Sequence, residues 1–71
     1  MDVFLRFEDG TELKLNDTTA GYVPRKGDIL ERESTRGAAT VRYEVVEVVS
    51  YVDFRSILRK IEIVLRQVSG R

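Results

Sequence analysis

Apolar side chains recur at every second position near the start of the chain. Val3, Leu5 and Phe7 alternate with Phe4, Arg6 and Glu8, the period of a strand with one buried face. Asp9-Gly10 follows, a dipeptide that supplies the positive φ angles of a tight hairpin turn. Leu13 and Leu15 then alternate with Glu12 and Lys14, giving the return strand. Phe4 breaks the polar side of this pattern and is either covered by another segment or open to a partner.

The polar run 16–21 reads as a loop, and Tyr22-Val23-Pro24-Arg25-Lys26-Gly27-Asp28 holds the single proline, which removes a backbone donor and favours a turn. A short strand is expected over 29–33, and a loop of small residues over 34–39. Thr40 to Val52 is the longest β-prone run, and its alternation changes phase in the middle. Val41, Tyr43 and Val45 share one face, whereas Val46 and Val48 continue on the other. A flat strand cannot bury both sets, so a bend or bulge is expected here, as when a sheet curls into a small barrel.

The last third supports two readings. Phe54, Ile57, Leu58, Ile61, Val64, Leu65 and Val68 fall at helical spacing, with Asp53 as N-cap and Gly70 as stop. Ile61, Ile63 and Leu65 also alternate with Lys60, Glu62, Val64 and Arg66, and the β-branched residues favour that strand. A barrel needs a closing strand, because an open sheet leaves long edges exposed. The expected fold is mostly β: a small SH3-like barrel of about five antiparallel strands in one domain, its last strand at about 60–67. The alternative is an antiparallel sheet with a C-terminal helix at about 54–68.

Val23-Pro24-Arg25-Lys26-Gly27-Asp28-Ile29-Leu30, Tyr43-Glu44-Val45-Val46-Glu47-Val48 and Ile61-Glu62-Ile63-Val64-Leu65 together resemble small SH3-like β-barrel proteins of bacteria and phages. In those proteins a Pro-x-x-Gly-Asp turn enters a strand, a Tyr-x-Val-x-x-Val strand follows, and an alternating apolar strand closes the sheet. Many are of unknown function, and the resemblance implies the fold without implying catalytic residues. KOW-type barrels of translation proteins also open a strand with Gly-Asp. Here the loop that follows carries no basic cluster beyond Arg36, so their RNA binding does not transfer.

Composition narrows the chemistry. The 71 residues include no cysteine and no histidine, so disulfides, the usual metal ligands and nucleophilic triads do not arise. Glu31, Glu33, Glu44 and Glu47 read as solvated strand positions pairing with Arg32, Arg42 or Lys60. No catalytic, cofactor-binding or metal site is expected, and no enzyme. No basic segment leads into a long apolar run, so a cytoplasmic protein without signal peptide or membrane span is expected. The net charge is zero but unevenly spread. Residues 1–35 hold five Lys/Arg against eight Asp/Glu, and residues 36–71 hold seven against four.

A domain this small and without staples gains burial by associating. The expected function is therefore a non-enzymatic binding or assembly module for protein–protein contacts or homo-oligomerisation. Edge-strand pairing and an apolar patch would supply affinity, with Phe4, Tyr22, Phe54 and Val64 as candidate interface residues. The alternative is a nucleic-acid-binding barrel using Arg25, Lys26, Arg36, Arg42, Tyr22 and Tyr43 for phosphate contacts and stacking.

Overall fold

A computed structural model describes residues 2–15, 23–33 and 39–68. Five strands, β1 (Asp2–Arg6), β2 (Glu12–Lys14), β3 (Ile29–Glu33), β4 (Thr40–Val52) and β5 (Leu58–Gln67), form one sheet in the order β2-β1-β5-β4-β3. The sheet curls into a half-barrel, consistent with a small SH3-like barrel. Three of its pairings are antiparallel, but β1 and β5 run parallel, with Val3 opposite Ile61 and Leu5 opposite Ile63. The expectation of a wholly antiparallel barrel is corrected at that junction. The helix alternative at about 54–68 is also overturned, since 58–67 is extended throughout and no described residue is helical. Among the described residues no helix is long and apolar enough to cross a membrane.

The phase change in β4 is a bulge. Val45 pairs with Leu65 and Glu47 with Val64, leaving Val46 as the extra residue. One inserted residue returns Val48 to the face that already carries Tyr43 and Val45, which is how a strand with two apolar phases serves one core. Val45 also bridges to the Gly27-Asp28 turn, accepting from Gly27 N at 2.8 Å and donating to Asp28 O at 2.9 Å. The Gly-Asp pair thus anchors the chain at the bend.

Val3, Leu5, Val45, Ile61, Ile63 and Leu65 form the buried core on the inner face, flanked by Phe7, Leu15, Leu30, Tyr43 and Val48. Edges β2 and β3 do not pair with each other. Instead, side chains meet across the gap: Phe7 and Tyr43 pack edge-to-face with centroids 5.2 Å apart, and Arg32 of β3 lies 5.8 Å from the Phe7 centroid. The β3 edge is lined by Glu31, Arg32 and Glu33, charges that discourage strand addition, while β2 is only three residues long.

The Asp9-Gly10 hairpin closes through three residues, Glu8, Asp9 and Gly10, between Phe7 and Thr11. Gly10 N donates to Phe7 O and Phe7 N to Thr11 O, both at 2.9 Å, with only Gly10 at positive φ. Asp9 Oδ1 accepts from Thr11 N at 2.9 Å, and this bond holds the Asp9 carboxyl below its ordinary range.

Candidate functional site

The β4–β5 hairpin extends beyond the rest of the sheet, because β1 begins opposite Lys60 and covers nothing nearer the tip. The tip repeats the hydrogen-bond pattern of the first turn: Ser56 N donates to Asp53 O at 2.9 Å, and Asp53 N to Ile57 O at 3.0 Å. Ser56 takes the position Gly10 holds there, at φ 67°, a left-handed conformation that is costly for a residue with a Cβ.

Asp53 holds this turn together. Its Oδ1 accepts from Arg55 N at 2.8 Å and from Ile57 N at 3.1 Å. Its Oδ2 lies 3.2 Å from Arg55 Nη2 and 3.9 Å from Arg59 Nη1. The backbone bond from Ile57 contributes most to keeping the Asp53 carboxyl below its usual range; burial opposes it, and the Arg55 bonds add to it.

Phe54 crowns this ordered turn and is 95% exposed. The Arg55 guanidinium lies 5.6 Å from its ring centroid. Val52, Ile57 and Leu58 beside it are also exposed. Scattered surface apolar residues are ordinary, but four gathered at one tip form a patch. Nothing in the core requires an aromatic residue at position 54.

The outer face of the sheet holds a second cluster. Glu62 is 2% exposed and sits between β1 and β4, opposite Phe4 and Val49. Arg6 Nη1 donates to its Oε1 at 3.3 Å, Tyr51 Oη to the same oxygen at 3.1 Å, and Lys60 Nζ lies 3.6 Å from Oε2. Lys60 also lies 5.3 Å from the Phe4 centroid and 4.9 Å from that of Tyr51. A hydrogen bond from the Glu12 side chain contributes most to holding the Glu62 carboxyl below its ordinary range. Burial opposes this, while Tyr51, Lys60 and Arg6 reinforce it. Tyr51 is pushed upward, chiefly by its bond to Glu62. No buried side-chain nitrogen or oxygen among the described residues lacks a partner, so this cluster is internally satisfied.

The interface candidates therefore separate. Phe54 stands at the tip. Phe4 and Val64 are half-buried on the outer face, Phe4 beneath Lys60. Tyr22 lies outside the described residues. Of the nucleic-acid candidates, Arg25 and Lys26 are exposed on the turn after Pro24. Arg42 is paired with Glu31 at 3.3 Å, and Tyr43 is half-buried against Phe7. Arg36 also lies outside the described residues. Sequence reading missed Val52, Ile57 and Leu58 as companions of Phe54: Ile57 and Leu58 also fitted the buried stripe of a helix, and Val52 read only as the end of the long strand. It missed Glu62, whose polar position in the alternation gave no sign of burial.

No family model matches the chain, and neither the curated proteins nor the solved structures contain one detectably similar to it.

Proposed function

We propose that the protein is a non-enzymatic binding or assembly module that engages a protein surface through the apolar tip of its β4–β5 hairpin. The observation that carries this reading is Phe54, 95% exposed on a turn ordered by Asp53. Aromatic anchors on rigid supports lose little conformational entropy on docking, the usual character of an interface hot spot. The short β2 edge and the charged β3 edge make strand addition the weaker route. A cytoplasmic setting fits a chain without cysteine.

Light scattering over a wide protein concentration range, repeated with Phe54→Ser, tests the reading, alongside a displayed-peptide panel scored by shifts of the tip resonances. Association or peptide binding that Phe54→Ser abolishes while the fold persists supports it. Binding indifferent to Phe54→Ser, or a strict monomer for which no peptide shifts the tip, overturns it.

The nucleic-acid reading rests on Arg25 and Lys26 and on the tip cations Arg55 and Arg59. Tyr43 is engaged with Phe7 and Arg42 with Glu31, which leaves few stacking and phosphate groups together. Oligonucleotide binding that falls steeply with salt would favour it.

A further inference from the structure

We infer that the hairpin tip of one copy docks in the open gap of the half-barrel of a second copy. This inference rests on the tip being an interface element and names its occupant. The gap forms two adjoining recesses that share Arg32 and Tyr43. The inner one, about 220 Å³, is floored by Leu5, Leu15, Leu30 and Leu65. The outer one, about 390 Å³, opens between Phe7, Leu13 and the Glu8-Asp9-Thr11 turn. An apolar cavity of about 150 Å³ is enough to hold benzene, so an aromatic ring fits either recess. Leucine floors with an aromatic wall suit the Phe54 ring and its apolar neighbours.

Charge matches as well. The tip carries Arg55 and Arg59 against Asp53, whereas the mouth of the outer recess carries Glu8 and Asp9 against Arg32. β5 runs from the tip to Gln67, whose backbone nitrogen donates to Glu8 Oε1 at 3.3 Å. Ten residues of strand separate tip from recess by roughly 30 Å, within a molecule 44 Å long. A tip so far from its own recess cannot fill it, and contact between copies gives either a reciprocal pair or a head-to-tail chain. One tip in one recess falls short of the roughly 1,200 Å² of a stable interface, so the association is weak, concentration-dependent and salt-sensitive.

Cysteine trapping tests this directly, because the chain has no thiol of its own. Ser56→Cys at the tip and Thr11→Cys at the mouth are prepared separately, one isotopically labelled, then mixed and oxidised. The expected result is a mixed disulfide in excess of either homodimer, lost when Phe54→Ser is added to the tip variant. Arg55→Glu alone should weaken association roughly fivefold to tenfold, and mixing it with a Glu8→Arg partner should restore it. Self-association that needs Phe54 but gives no mixed disulfide overturns the inference and leaves the tip reading standing. A strict monomer also overturns it, and the peptide panel then decides the tip reading separately.

Discussion

Tyr51 Oη donates to Glu62 Oε1 across 3.1 Å on the outer face, so a neutral phenol and a buried carboxylate shift each other's titration in opposite directions. Folding lowers the Glu62 pKa from its ordinary 4.5, so the unfolded state binds more protons as acid is added. The stability from Glu62 is full above that ordinary value and is lost as pH falls through the lower folded one. Tyr51 is raised from 10.0, so its contribution is full below 10.0 and is lost as pH climbs through the higher folded value. Urea midpoints measured across pH should decline at both ends. Tyr51→Phe should flatten the alkaline decline and reduce the acid one.

Glu62→Gln removes the charge while keeping the volume. Arg6 and Lys60 are partly exposed and can rehydrate, which discounts the loss. The expected cost near neutral pH is about 2 kcal/mol, the scale of one charge-assisted hydrogen bond. It should shrink toward zero in acid, where the wild-type carboxyl is protonated too. A cost independent of pH would show that packing, and not charge, sets the value of this position.

The β4 bulge yields a sharper structural test. Ile63→Ala empties a fully buried site and should cost about 2–5 kcal/mol, a large part of what so small a domain has. Deleting Val46 removes no core atom and leaves Val45 opposite Leu65, Glu47 opposite Val64 and Val48 opposite Ile63, so the faces beyond it are kept and only the local bend is lost. The deletion should therefore cost less than Ile63→Ala, as read by chemical denaturation.

That bulge was legible in the sequence because period-two alternation is local, and its failure between Val45 and Val46 marks the extra residue. The first hairpin and the final strand were legible for the same reason. The parallel pairing of β1 with β5 was not, since register between residues some 58 apart leaves no trace in either segment alone. Glu62 shows the same limit: its burial comes from Phe4, Tyr51 and Lys60, which three different strands bring over it. The exposed tip was hidden by ambiguity, because Phe54, Ile57 and Leu58 also fit the buried stripe of a helix. Phe54 was singled out as an anchor without the turn that presents it.

At the tip, Ser56→Gly should stabilise the hairpin by about 1 kcal/mol or less, by relieving the left-handed cost at φ 67°. Asp53→Ala should act oppositely, because it strips acceptors from Arg55 N and Ile57 N. Nuclear magnetic resonance should show both changes confined to residues near the turn. If Phe54 acts through preorganisation, Asp53→Ala should also weaken association although Phe54 itself is intact.

Phe54→Ser separates interface from fold most cleanly. Its ring touches no core residue and is 95% exposed, so removing it should change stability by no more than about 0.5 kcal/mol in either direction. The same substitution should abolish tip-dependent association. A residue kept for folding would show the reverse, a lower unfolding midpoint with association unchanged. Measuring the unfolding midpoint and the sedimentation coefficient on one preparation distinguishes the two. Phe54→Trp should preserve association and add a fluorophore to a chain that has no tryptophan. Its emission should shift to the blue as concentration rises if the tip enters an apolar recess, and stay at the red limit if the tip remains in water.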